Sequence, residues 1–193
     1  MAHRFFGDFD FSNSTIAITD RELVHQLTRV LHFAVGEKIV LCDGQLAEAV
    51  CTITASTPDR VTVSVDVRRT NMVESRHSVR LYCAVLKREN FEIVVQKAVE
   101  LGATEIFPII TERTIKQQLS YDRLEKIMKE AAEQSGRGIL PVLGEPISFE
   151  EAIKQARSAN DLNLFFQAGY PQLGHSMSKF KKIGVFVGPE GGW

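Results

Sequence analysis

Cysteine is scarce, basic charge has no excess, and apolar runs are short; each shortage removes a class of function. Three cysteines, Cys42, Cys51 and Cys83, stand singly inside strand-like segments. An odd count at wide spacing fits neither a disulfide framework nor a zinc site, so they read as small buried hydrophobes and no metal is expected. Net charge is -1, from 23 Lys and Arg against 24 Asp and Glu. Attraction to phosphate must therefore come from a local patch. No segment approaches the ~20 apolar residues of a membrane helix, and Met1-Ala2-His3-Arg4-Phe5-Phe6 lacks the long apolar region of a signal peptide. The expectation is a cytoplasmic protein with no membrane segment. What is present, 193 residues of which 44% are hydrophobic, suffices for one large domain or two small ones.

The first part reads mostly as strands. Ile16 to Ile18 is a short one, and Thr19-Asp20-Arg21-Glu22 carries the Thr-x-x-Glu spacing of a capping box, which predicts a helix from Asp20 to Leu31. Leu23, Val24, Leu27, Val30 and Leu31 share its apolar side; Arg21, His25, Thr28 and His32 line the other as a basic stripe or an ordinary solvated face. Lys38 to Cys42 leads into Asp43-Gly44, a hairpin signal, and a second strand over Leu46 to Ile53. After the turn at Thr57-Pro58-Asp59, Val61, Val63, Val65 and Val67 alternate with polar residues, as in a half-buried antiparallel strand. The reading is a small β-barrel with one helix, followed by a polar linker over Arg68 to Ser78.

Beyond the linker the grammar becomes strand, helix, strand. Val79 to Leu86, Ile106 to Ile110, Leu162 to Phe166 and Ile183 to Val187 are apolar runs of strand length. Between them lie a helix after Asn90 ended by Gly102, one from Ser120 to near Gly136, and one opened by Ser148 with Glu151 in capping-box position. Such alternation builds βαβ units and a parallel sheet covered by helices. The last strand runs into Gly188-Pro189-Glu190-Gly191-Gly192, a glycine loop where α/β sheets bind ligands. No Lys-Ser/Thr pair follows its glycines, and Glu190 repels phosphate, which argues against nucleotide phosphates. By itself the loop fits a phosphate-free ligand or a plain tight turn.

Five motifs in order carry a resemblance: Lys87-Arg88-Glu89-Asn90-Phe91-Glu92; Gln96-Lys97-Ala98-Val99-Glu100-Leu101-Gly102; Glu112-Arg113-Thr114; Glu130 to Arg137 with Pro141; and Gly188 to Gly192. Together they resemble the ribosomal RNA small subunit methyltransferase E family. His25, Val30, Leu31, Gly36 and Asp43-Gly44 resemble its PUA-like RNA-binding domain, with His32 where the family usually has Arg. The resemblance implies a PUA-like β-barrel over residues 1–72 and a SPOUT α/β domain with a parallel sheet over 73–193, trefoil-knotted in full-length members.

It also implies a methyl transfer from S-adenosylmethionine to uridine N3 of small-subunit ribosomal RNA, free or in the 30S subunit, and a homodimer when full length. Phe166, Gln167, Gly188, Pro189, Glu190, Gly191 and Gly192 are the implied cofactor residues. Arg4, Arg21, Arg29, Lys87, Arg88, Lys97, Arg113 and Arg137 are the RNA-facing candidates, with surface ion pairing as their ordinary alternative. No catalytic residue is named; Glu100, Glu133 and Glu190 are carboxylates within the motifs. The family continues past the glycine loop with a further cofactor loop and a final helix, so the chain is expected to bind cofactor weakly or not at all. Two other readings stay open: a non-catalytic RNA-binding protein, and a different transferase on the same scaffold.

Overall fold

The computed structural model describes the chain apart from residues 1–2, 115–118, 168, 170–176 and 190–191. It forms two compact units, Met1–Glu74 with Ala132–Leu140, and Ser75–Ala131 with Pro141–Trp193.

The first unit is a five-stranded sheet ordered β1-β3-β4-β5-β2. Its strands are β1 (Arg4–Phe6), β2 (Thr15–Ile18), β3 (Lys38–Cys42), β4 (Ala47–Thr57) and β5 (Arg60–Thr70). β1 joins β3 in parallel, and the other pairs are antiparallel. Period-two alternation puts Ile39, Leu41, Ala49, Cys51, Ile53, Val61 and Val63 into one core, closed by Leu23, Val24 and Leu27 from the helix. All three cysteines are buried and free. Burial pushes the Cys42 and Cys51 thiols up to about 11. The Asp43-Gly44 hairpin forms, with the Asp43 carboxylate accepting from Gln45 N at 2.7 Å and Ala47 N at 3.0 Å. β5 runs on to Thr70, so the irregular stretch starts at Asn71 and not at Arg68.

The first helix departs from its expected form. Its cap is Asp20, whose carboxylate accepts from Leu23 N at 2.8 Å, one residue beyond Thr19. Regular turns cover only α1 (Arg21–His25); the chain then widens into a π-helical turn over Gln26–Val30. That widening breaks the 3.6-residue spacing on which the expected stripe depends. Thr28 turns inward and donates to the Val24 carbonyl at 2.8 Å, His32 takes a positive φ of 55°, and Val30 is 59% exposed.

The second unit is α/β with a parallel sheet ordered β10-β11-β6-β7-β8, and β9 also pairs with β7. Its strands are β6 (Ser78–Ala84), β7 (Ala103–Ile110), β8 (Val142–Leu143), β9 (Ile147–Ser148), β10 (Leu162–Phe166) and β11 (Lys182–Val187). The helices are α2 (Arg88–Glu100), α3 (Tyr121–Ser135) and α4 (Phe149–Ala159). α2 starts at Arg88, two residues ahead of Asn90, and ends at Gly102 with φ 95°. α4 has the expected capping box, with Ser148 and Glu151 each accepting the other's backbone N–H. Across four neighbouring strands, Phe165, Phe186, Tyr82 and Phe107 stand in register as a ladder of stacked rings with centroid spacings of 4.3, 4.6 and 5.2 Å. α4 covers the ladder with Ala152 and Ala156.

Candidate functional site

Because β6, β7, β10 and β11 are parallel, their carboxyl ends share one edge of the sheet. From β6 the chain passes through α2 to β7 on one side, while β10 and β11 fill the other side. The winding direction therefore reverses between β6 and β11, where an open α/β sheet leaves a crevice at its carboxyl edge. Gly188 and Pro189 follow β11 at that crevice, with Gly192 and Trp193 beyond them. Gln167 follows β10, Lys87 and Arg88 follow β6, and Arg113 follows β7. Three of the five motifs, with Gln167 beside them, thus converge on one edge.

Geometry links these loops. Gly192 N donates to the Pro189 carbonyl at 2.9 Å and Gly192 has φ 78°, which closes a turn that favours glycine. The Trp193 indole N–H donates to the Phe166 carbonyl at 3.3 Å. A Cβ on Gly188 would stand 3.2 Å from the indole, so the backbone there lies close under the ring. On the β7 side, Thr114 closes a turn by accepting from Thr111 N at 2.9 Å. That turn carries Arg113, whose NH1 lies 3.9 Å from where a Cβ on Gly192 would stand. Phe166 and Gln167 are exposed and Pro189 is buried; Glu190 and Gly191 lie outside the described residues.

The basic candidates separate by environment. Arg21, Arg29, Lys87, Arg88, Lys97 and Arg113 are exposed. Of these, Arg88 approaches Glu92 at 3.2 Å and Lys97 pairs with Glu100 at 2.8 Å. Glu92 is also gripped by Arg123 at 2.6 and 2.7 Å, and these hydrogen bonds, led by those of Arg123, hold its carboxyl below the ordinary glutamate range. Arg4 and Arg137 are interior residues of the first unit. Arg4 pairs with the buried carboxylate of Glu48, which also takes Arg69 and, at 3.1 Å, the Asn71 amide. Arg137 is 7% exposed and pairs with Glu74 at 2.8 Å. Of the carboxylates in the motifs, Glu100 accepts from Lys97 and Gln96, and Glu133 accepts from Phe6 N at 3.2 Å.

The donor set at the carboxyl edge is backbone amides and carbonyls with aromatic faces, and Arg113 is the cation placed nearest the glycine turn. Such a lining suits a flat, phosphate-free ligand. Trp193 closes the glycine stretch but is not among the cofactor residues expected from the sequence, although a large aromatic directly after a glycine loop is a signal. Glu48 was equally readable as a charge within an apolar strand.

The profile described as RNA methyltransferase domain matches residues 73–193. The chain belongs to the ribosomal RNA small subunit methyltransferase E family. A family member from Synechocystis sp. is 30% identical over 187 residues, spanning 93% of this chain and 61% of that protein. The Bacillus subtilis member is 28% identical over 92% of this chain and 75% of its own length. A crystal structure of the Neisseria gonorrhoeae member bound to S-adenosyl methionine superposes with a TM-score of 0.90 at 28% identity, covering 100% of this chain and 81% of that one. The chain thus spans about three fifths of the Synechocystis relative. The segment that matches the family profile runs from before β6 to Trp193 and contains the whole edge described above.

Proposed function

We propose that this protein takes part in the S-adenosylmethionine-dependent methylation of N3 of a uridine in small-subunit ribosomal RNA. The convergence of the loops after β6, β7, β10 and β11 beside the β6–β11 reversal carries the reading. The relative solved with S-adenosyl methionine, and relatives named for the small-subunit ribosomal RNA they methylate, support the ligand and the substrate.

In this reading, Phe166, Gln167, Gly188, Pro189, Glu190, Gly191 and Gly192 hold the cofactor. Glycine at 188 and 192 lets backbone groups approach it, and the aromatic rings behind them keep water out. When bound, the cofactor supplies an electrophilic methyl group. The protein's own task is orientation: the uracil ring must lie in line with that methyl group, out of any Watson-Crick pair that buries N3. Lys87, Arg88 and Arg113, at the same edge, fit the phosphates flanking the target base, and exposed Arg21 and Arg29 of the first unit fit other phosphates of the RNA. Arg4, Lys97 and Arg137 act through their carboxylate partners as supports for the fold.

The wider expectations belong to the same proposal: a PUA-like barrel over 1–72, a SPOUT domain over 73–193 with a trefoil knot in the full-length protein, homodimerisation, the 30S subunit as partner, and a cytoplasmic location. Among the described residues no helix is long and apolar enough to cross a membrane. The deciding experiment maps methylated nucleotides by mass in small-subunit RNA from cells with and without the gene. Loss of one N3-methyluridine is the expected result; an unchanged uridine pattern would sink the assignment.

A further inference from the structure

Trp193 is the one tryptophan of the chain, and its ring joins the two central loops of the candidate site. It meets Phe149 at a centroid distance of 5.0 Å and Phe165 at 5.9 Å, edge-on at 63° to the latter. It thereby sits at the Phe165 end of the aromatic ladder, on rings fixed by four paired strands. From this seat the indole N–H reaches the Phe166 carbonyl at 3.3 Å, on the last residue of β10. Its other side lies against Gly188, the first residue after β11, where a Cβ would come within 3.2 Å.

We infer that Trp193 is a positioning residue for the cofactor pocket, a clasp that fixes Gly188, at the start of the glycine loop, against the end of β10. This rests on the proposed cofactor reading. A backbone loop binds a ligand tightly only if it is ordered beforehand, because ordering it on binding costs affinity. Glycine at 188 and 192 leaves those two positions without a side chain to order them. The indole supplies that order from outside: aromatic packing gives the seat, and the single hydrogen bond gives the register with β10. Gly188 and Trp193 are thus coupled, since a methyl group at 188 would crowd the indole at 3.2 Å and the ring would have to give by a few tenths of an ångström.

The test is calorimetric titration of the chain and its variants with S-adenosylhomocysteine, alongside urea unfolding. W193F keeps a ring but loses the N–H, and about fivefold weaker binding is expected from one lost hydrogen bond. W193A loses both the seat and the bond and is expected to weaken binding by more than about tenfold, with a lowered unfolding midpoint because the indole packs on Phe149, Phe165 and Phe186; G188A, which only crowds the ring, should weaken it by less. In the unaltered chain, tryptophan fluorescence should shift as ligand saturates. Binding by W193F at the unaltered strength would overturn the clasp, whatever W193A does, while leaving the cofactor reading intact. An unaltered chain that takes up no ligand would also overturn the clasp, which needs a pocket to position, and would leave the cofactor reading to the mapping of methylated nucleotides.

Discussion

Glu74 holds Arg137 across 63 positions of sequence: the arginine Nε donates to both carboxylate oxygens, at 2.8 and 3.0 Å. The same carboxylate accepts the backbone N–H groups of Gly138 at 2.8 Å and Ile139 at 3.0 Å. Asn71 adds a bond from its side chain to the Gly136 carbonyl at 3.2 Å, and Leu46 N reaches the Gly138 carbonyl at 2.9 Å. The motif around Arg137 is therefore built into the first unit by its own charges.

Removing one member of this buried pair leaves the other uncompensated. R137A is expected to lose about 3 kcal/mol or more of stability in urea unfolding. E74Q still accepts hydrogen bonds and should lose less. In both variants, hydrogen exchange at the amides of Gly138 and Ile139 should quicken. If R137A unfolds at the same urea concentration as the unaltered chain, the pair contributes nothing to the fold.

Glu48 and Glu74 also set an acid limit. Burial alone would raise both carboxyls, but the hydrogen bonds outweigh it, from Arg4, Asn71 and Arg69 on Glu48 and from Arg137 and two backbone amides on Glu74. Each folded value is thus lower than the unfolded one of about 4.3. Their contribution is present above that pH and drains away as the pH falls through the lower folded values. Stability measured against pH should drop along this acid limb, and the E48Q/E74Q double variant should drop less steeply there. A double variant with the same acid slope would show that other groups govern it.

Gly184 is tied to a polar cluster in the second unit. Arg80 donates to Glu105 at 2.6 Å, to the Ala159 carbonyl at 2.8 Å and to Asn160 at 3.1 Å, and Asn160 donates to Asn163 at 2.9 Å. A Cβ on Gly184 would fall 2.5 Å from Asn160 Nδ2 and closer still to Asn163 Oδ1. G184A should cost about 2 kcal/mol by forced repacking. Adding N163A should recover part of that loss in thermal unfolding, and a purely additive double variant would contradict the clash.

Ribosomal RNA binding should sort the arginines by environment. K87A and R113A are each expected to weaken binding and to flatten the plot of log affinity against log salt by about 0.7 to 0.9. R4M loses its charge inside the first unit and should still leave that slope unchanged. Equal slope losses in all three variants would mean that environment does not select the RNA-facing cations.

Much of the second unit is legible in the sequence. Apolar runs of strand length separated by capped helices specify a parallel sheet, and the Ser148 to Glu151 box sets the start of α4 to the residue, because such signals act within one turn. The same holds for Val61 and Val63, whose two-residue period alone puts them in the core. Local spacing also located the glycine turn at the end of β11.

Tertiary structure decided the rest, where the relevant partner is distant. No local pattern says that β11 enters between β10 and β6, yet that order creates the reversal beside Gly188. Charge in a motif does not say whether a guanidinium meets water or a carboxylate. Arg113 stays at the surface, whereas Arg137 finds Glu74 only once Ala132–Leu140 has joined the first unit. The π-helical turn after His25 likewise escapes a reading by helical period, since it arises where core packing outweighs regular backbone bonding. Sequence determined which segments are strand, helix and turn; the pairing of strands and the burial of charges, which depend on contacts between segments far apart in the chain, had to await the fold.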